Sequence, residues 1–312
     1  IVMFKNLVLI SFISLPLASE NLLDIYNEAL DNDPQYKSSE YSLLAGKEFV
    51  VQGRAGLLPN VTLSGSTNWN EYYQFDELQS AYNNNSVTAR LTQPLFRLDS
   101  WFNFKRSKKL TDASEADFAY AQQNLIIRTV EKYFGVLRAI DNLNAAVSEE
   151  KAIKKQLDQI QQRFEVGLSA ITEVQEAQLA YDLSVAAKIR SEGALFNARE
   201  ELNSLIGREI FSIDSLKADI VPENPNPTTK QEWVDIALKN NYRLQASVLR
   251  RDASQDSARS SASEHLPKIN IVGTESESNT NQYTYEGFED LGFQAPSETQ
   301  RKNYSLSLSI PI

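Results

Sequence analysis

The chain contains two copies of one unit, and this duplication constrains its fold more than any other feature. Asn27–Tyr41 (NEALDNDPQYKSSEY) resembles Asp235–Leu249 (DIALKNNYRLQASVL). Behind them, Gly56–Gly65 (GLLPNVTLSG) resembles His265–Gly273 (HLPKINIVG). One ungapped offset of 208 residues aligns Ala29 with Ala237, Leu30 with Leu238, Asn32 with Asn240, Leu58-Pro59 with Leu266-Pro267 and Gly65 with Gly273. Chance supplies one such pair, but not a constant register over nearly forty residues.

Each copy opens with a polar, amphipathic helix that is expected to end near its Leu-Pro pair, because proline disfavours helix in the residue before it. Strands follow. Val61, Leu63, Gly65, Thr67 and Trp69 fall on one face, and Thr62, Ser64, Ser66 and Asn68 on the other. In the second copy Ile269, Ile271 and Gly273 alternate with Lys268 and Asn270. A loop rich in Asn, Tyr, Glu and Gly is expected before a second strand, Ser86–Phe96 in one copy and Asn303–Ile312 (NYSLSLSIPI) in the other. Pro94 in the first occupies the place of Pro311 in the second.

The first copy continues into a long helical region. No proline interrupts Ser100 to Gln162, and apolar residues recur at Ile126, Val130, Tyr133, Leu137, Ile140, Leu143 and Val147, then at Ile153, Leu157, Ile160 and Phe164. Spacings of three and four predict a coiled-coil-like seam on a rod of roughly 100 Å. Gly167 interrupts it, and a second helix is expected from about Ala170 to Leu205. Gly207 and the prolines Pro222, Pro225 and Pro227 mark a linker. By analogy a second hairpin belongs after Pro311, so the chain is expected to be a fragment.

The N-terminus carries Lys5, an apolar stretch from Leu7 to Leu17 and the small pair Ala18-Ser19. That is the layout of a secretory signal peptide cleaved before Glu20. Ile1 and Val2 precede Met3, so the start of the sequence is expected to differ from the start of translation. The expected divisions are a signal peptide over 1–19, a first repeat over 20–206, a linker over 207–229 and a second repeat over 230–312. A net charge of −10 argues against nucleic acid as the main partner. Without cysteine and with one histidine, disulfides and thiolate metal sites are excluded, and no metal or cofactor is expected. No phosphate-binding glycine loop or catalytic constellation stands out, so the chain is not read as an enzyme.

The alternation and the aromatics Trp69, Tyr72 and Tyr73 suit membrane-barrel strands, with apolar residues outward and polar ones inward. Four strands cannot close such a barrel, since the smallest have about eight. Several chains must contribute, unless the sheet is soluble and packs on something else. On the barrel reading the lipid-facing residues are Val61, Leu63, Trp69, Val87, Leu91, Ile269, Ile271, Tyr304, Leu306, Leu308 and Ile310. Tyr72, Tyr73, Tyr82, Tyr283 and Tyr285 are candidates for an interfacial girdle.

Several stretches carry a resemblance to one family. They are ENLLDIYNEAL, LLPNVTLSG, HLPKINIVG, LTQPLF, YFGVLRAIDNLNAA, QLDQIQQRFEVGLSAITEVQEAQLAYD and the closing LSLSIPI. With them the chain resembles the TolC family of outer-membrane efflux and secretion channels over residues 20–312, most specifically in RFEVGLSAITEVQEAQ. The resemblance implies a mainly α fold with β: a long helical hairpin plus four transmembrane strands per chain. It further implies a homotrimer with a shared 12-stranded barrel and a hollow periplasmic α-barrel. The expected role is an exit duct in the Gram-negative outer membrane for small molecules or for type I protein secretion. It would work with a periplasmic adaptor and an inner-membrane pump.

The family's adaptor-docking helix turn maps onto Val166, Gly167, Leu168, Ser169 and Ala170. Its periplasmic gate maps onto Gln162, Thr172 and Glu173, where Glu173 replaces the family's usual aspartate. Read alone, Glu173 is a solvated helix carboxylate, Gly167 a helix C-cap, and His265 a surface or capping residue. Asn60-Val61-Thr62 matches a glycosylation pattern too short to carry a role. The alternative functions are a periplasmic adaptor, which also has a helical hairpin, and a secreted coiled-coil scaffold, which leaves the strand pairs unexplained.

Overall fold

The computed structural model describes residues 20–216, 224–283 and 297–311. The expected signal peptide and Tyr285 lie outside them, as does part of the linker. The chain divides into two compact units, residues 1–41 with 119–239 and residues 42–118 with 240–312. The described elements are α1 (Leu22–Asn32), α2 (Pro34–Ala55), β1 (Asn60–Gln74), β2 (Glu77–Phe96), α3 (Leu98–Glu165) and α4 (Ile171–Ile206). After these come α5 (Lys230–Asn240), α6 (Tyr242–Ala262), a 3-10 turn (Ser263–His265), β3 (Lys268–Tyr283) and β4 (Ser297–Ser309).

The single opening helix expected in each copy is two helices. Asp33 ends α1, and its carboxylate accepts from the Tyr36 N–H at 2.9 Å to start α2. Pro34 then sits at the first helical position, where its missing N–H costs nothing. The break recurs at the 208-residue offset. Asn241 lies between α5 and α6, and its side chain accepts from Leu244 N–H at 3.1 Å. His265 closes the 3-10 turn that leads to β3.

In the first unit the core gathers Ile25 and Ala29 of α1, Leu125, Tyr133, Val136 and Ala139 of α3, and Leu195, Leu202, Leu205 and Ile206 of α4. The seam on α3 is therefore displaced from the expected one at its start. Leu125 is buried, whereas Ile126 is 47% exposed, and Val147 is 40% exposed. Apolar residues occupy both Leu125 and Ile126, one residue or about 100° apart on a helix. The packing of α1 and α4 selects the first and leaves the second half-exposed among the described residues. Tyr133 is held by hydrogen bonds to the backbone, donating to Asp214 O at 2.8 Å. Burial first, and then the Asp214 charge, push its phenol above the ordinary range. Glu20 pairs with Ile213 in a short parallel bridge. Arg208, one residue past the left-handed Gly207 C-cap, forks onto Glu28 at 2.5 Å and Glu20 at 2.8 Å. These two carboxylates raise its already high pKa.

In the second unit α2 and α3 cross on small residues. A Cβ on Gly46 would stand 2.3 Å from Ser114 Oγ, and one on Gly53 would stand 2.5 Å from Ser107 Oγ. Thr111 Oγ1 donates to Gly46 O at 2.9 Å across the same crossing. The helix α6 joins α3 through Ser260 Oγ, which donates to Asp99 O at 2.8 Å, and through the Arg250–Asp117 pair.

Asp99, in the first turn of α3, takes two bonds from Arg97 and faces Lys268 at 3.4 Å. The Arg97 guanidinium is the main cause that holds its carboxyl down at about 2. A depressed carboxylate contributes stability that is present above about pH 4 and lost as pH falls toward 2. Asp99→Asn is expected to flatten that acid limb by about 1 kcal/mol, the pair being partly screened by solvent. Thermal melts of parent and variant between pH 2 and pH 7 check this; parallel pH profiles would contradict it.

The four strands form one curled antiparallel sheet in the order β1-β2-β3-β4. The loop expected between the first two strands is instead a tight hairpin, and β2 starts at Glu77 rather than Ser86. Phe75 and Asp76 have φ of 52° and 63°, as a type I′ turn requires of both central residues. Neither residue is the Asn-Gly signal that marks such turns in sequence. The Asn-rich stretch pairs as strand, with Thr67 Oγ1 donating to Asn83 Oδ1 at 3.0 Å.

Candidate functional site

Two places in the chain concentrate what sequence reasoning singled out, the faces of the sheet and the turn between α3 and α4. Pairing fixes the sheet faces. Val61 opposes Leu91, Leu91 opposes Gly273, and Gly273 opposes Tyr304. Ile271 opposes Gln93 and Leu306, and Ile269 opposes Phe96 and Leu308. All of the expected lipid-facing strand residues up to Leu308 therefore share one side. Ile310 lies one residue past the end of β4 and is 56% exposed. Trp69, Leu63 and Tyr304 are 78%, 75% and 79% exposed, and nothing among the described residues covers them. Val61 to Trp69 spans nine residues, the length of strand that crosses a hydrocarbon core at a tilt of about 45°.

That face is not apolar throughout, and this differs from the simple alternation read in the sequence. The Leu63–Ala89 row continues into Glu275 and Lys302, which pair at 2.9 Å, and the Gly65–Val87 row continues into Glu277 and Gln300. Strands in a tilted barrel stand at different depths in the same row. The charged middle stretches of β3 and β4 can then lie at the interface while the facing part of β1 is still in the apolar layer. On the opposite face are Thr62, Ser64, Ser66, Thr88, Thr274, Ser276, Asn303 and Ser305. Tyr72, Tyr73 and Tyr82 lie near the hairpin end, where Tyr73 Oη donates to Glu71 at 2.9 Å.

The turn between α3 and α4 is built by Gly167. Its φ of 78° is left-handed. Gly167 N–H donates to Phe164 O at 2.9 Å and Leu168 N–H to Arg163 O at 2.8 Å. This is the paired arrangement of a Schellman cap, which needs glycine for its backbone angle. No atom lies within 4 Å of where a Gly167 Cβ would stand, so the conformation alone demands glycine there. Val166 and Leu168 are 69% and 70% exposed, and Ala170 caps α4 without a side-chain bond.

Thr172 and Glu173 lie in the first turn of α4 and Gln162 in the last turn of α3, all exposed. Ser169 Oγ donates to Glu173 Oε2 at 2.5 Å, so Glu173 is tied to its own turn. A carboxylate in a helix's first turn is also favoured by the helix dipole. Sequence reasoning placed both residues at the tip but missed that bond, although their spacing of four allows it. Farther along the hairpin, Lys188 of α4 meets Glu150 of α3 at 3.1 Å, and this carboxylate raises the lysine's pKa.

Among the described residues no group of three or more His, Asp or Glu is arranged to hold a metal. No described helix is long and apolar enough to cross a membrane.

Comparison with known proteins agrees with this geometry. A family model described as outer membrane efflux protein matches residues 25–208. Outer membrane protein TolC of Vibrio cholerae is 33% identical over 255 residues, covering 82% of this chain and 58% of that protein. Alkaline protease secretion protein AprF of Pseudomonas aeruginosa is 27% identical over 263 residues, covering 81% of this chain and 54% of that one. The chain thus spans a little over half the length of these relatives. Among solved structures, the CmeC outer membrane channel of Campylobacter jejuni superposes with a TM-score of 0.73 at 18% identity, over 95% of this chain and 62% of that one. At that identity the superposition speaks for the fold alone.

Proposed function

The chain belongs to the outer membrane efflux protein family, and from that premise we propose that three copies assemble into an outer-membrane exit duct. The observation that carries the reading is the sheet itself. Four strands of up to 20 residues present one uncovered face, apolar toward the strand ends that join the helices and charged beyond them, and one polar face, and the described sheet ends in open edges at β1 and β4. Twelve strands from three chains remove those edges and give the polar face a lumen, whereas four alone cannot close. The uncovered Ile126 stripe of α3 supports helix-to-helix contact between copies in a periplasmic wall.

The duct works passively. A periplasmic adaptor and an inner-membrane pump supply selection and energy, and the cargo is small molecules, secreted protein or both. Val166, Gly167, Leu168, Ser169 and Ala170 form the adaptor-docking tip, supported by the exposed apolar pair on a rigid turn. Gln162, Thr172 and Glu173 contribute to the periplasmic gate. The repeats and linker are read as 20–206, 207–229 and 230–312, with 1–19 as the leader.

Heat-modifiable trimers in outer-membrane fractions, together with single-channel conductance in planar bilayers, are the expected result. Monomers found only in the soluble periplasm would sink the reading. Glu173→Ala in the full-length protein is expected to raise closed-state conductance by freeing the tip. Unchanged conductance across pH and salt would remove Glu173 from the gate.

A further inference from the structure

The polar face of the sheet carries an asymmetry of charge that the duct reading does not use. On the strand stretches Asn60–Asn70, Tyr82–Pro94, Asn270–Thr280 and Thr299–Ser309, two residues on that face are charged, Arg90 and Arg301, and none is acidic. Glu275, Glu277, Glu298 and Lys302 all belong to the opposite face, where Lys302 and Glu275 neutralise each other. Neither arginine has an ion-pair partner among the described residues, although most other arginines near the sheet and its helices do.

The face with the arginines is the concave one. Side chains at Ser86, Thr88, Ser276 and Ser278 are half-buried, while Val87, Ala89, Glu275 and Glu277 beside them are exposed. Serine and alanine are similarly short, so side-chain length does not explain why Ser86 is half-buried and Ala89 exposed. Short side chains shield one another only where a sheet curls toward them.

Register brings the two arginines near each other. Arg90 opposes Thr274, and Arg301 opposes Ser276 two residues along the same strand β3. Two strand spacings across and two residues along put their Cα atoms about 12 Å apart. Around a threefold axis this makes six guanidinium groups in one belt.

Magnitudes decide whether such a belt is felt in the lumen. A closed 12-stranded barrel has a backbone radius of about 12 Å. A guanidinium on its three-carbon stem reaches roughly 6 Å inward. The axis then lies within about 6 Å of the charges, inside the screening length of about 8 Å at physiological salt. On β4 Glu298, three positions from Arg301, belongs to the opposite face, and on β2 the acidic residue nearest to Arg90 is Glu77 at the hairpin end, 13 positions away. That is about 43 Å along β2 and several screening lengths away.

We infer that Arg90 and Arg301 form an anion-binding ring inside the barrel, which concentrates solutes bearing phosphate or carboxylate groups on their way out. Rings of arginine or lysine are how anion and phosphate pores select, and guanidinium forks match the oxygens of both groups. The inference rests on the trimeric duct proposed above.

The test uses the full-length channel in planar bilayers with inorganic tripolyphosphate added on the side of the strand hairpins, at about 0.1 M salt. Tripolyphosphate is expected to reduce the current in a concentration-dependent way, and the block is expected to fade toward about 1 M salt. Arg90→Ser with Arg301→Ser should raise the half-blocking concentration roughly tenfold, while Arg90→Lys with Arg301→Lys keeps it within about threefold. Open-channel current in each variant shows that the barrel still forms. Conductance without block, or block unchanged in the serine variant, overturns the ring and leaves the duct standing. Folded trimers that conduct nothing overturn the duct and the ring together.

Discussion

Asp33→Ala is expected to destabilise the chain by about 3 kcal/mol, among the largest effects of any single polar substitution. Asp33 is 3% exposed and does two jobs at once. Its carboxylate caps α2 through the Tyr36 N–H at 2.9 Å, and it pairs with Arg128 of α3, whose side chain is 21% exposed. Loss of the cap costs about 1 kcal/mol. The larger part comes from leaving the guanidinium desolvated and unpaired, since Arg128 Nε already lacks a partner among the described residues. Asp33→Asn keeps a capping oxygen and removes the charge, so it should cost roughly half as much. Urea unfolding in detergent measures both. A loss below about 1 kcal/mol in the alanine variant would mean that Arg128 turns out to solvent at little cost.

The second large effect is expected at the crossing of α2 and α3. Gly46→Ala places a methyl 2.3 Å from Ser114 Oγ and 2.5 Å from its Cβ, closer than any real contact allows. The helices must part, which costs about 2 kcal/mol by overpacking. The Thr111 bond to Gly46 O is then lengthened or lost as well. Adding Gly53→Ala, whose methyl would stand 2.5 Å from Ser107 Oγ, raises the loss to about 4 kcal/mol. Ser114→Gly in the Gly46→Ala background should recover most of the first loss, because it removes the colliding atoms. Gly135→Ala in α3 is the control. Nothing lies within 4 Å of its would-be Cβ, so alanine there should be neutral or stabilise by up to about 1 kcal/mol. Equal losses at Gly46 and Gly135 would show that helix propensity, not the crossing, sets the cost.

Sequence periodicity predicted the strand faces because a strand's period of two leaves no choice once one residue is placed. Val61, Leu63 and Trp69 therefore share one face in the sequence pattern, and the strand register puts them on one face of the sheet. The turn at Gly167 was equally legible, since a glycine between two long proline-free helical runs has one common use, the left-handed C-cap. The helix break before Pro34 was written in the sequence as Asp-Pro but masked by helical patterning on both sides. The hairpin at Phe75-Asp76 carried no turn signal, because its two left-handed residues are held by the ladder on either side and not by their own preference.

What the sequence determined by itself was the order of helices and strands in each copy, apart from the helix breaks at Asp33 and Asn241, and the residues that share each strand face. These depend on local period and on a repeat that can be aligned without coordinates. Tertiary structure alone decided three further things. The packing of α1 and α4 chose Leu125 over Ile126 for the core, since two apolar stripes about 100° apart are equally good until a neighbour covers one. The close approach of α2 to α3 gave Gly46 and Gly53 a role that no periodicity marks. The curl of the sheet put Arg90 and Arg301 on its concave side, two strands apart. Alternation says which residues share a face, but only the bend of the backbone says which face is inside.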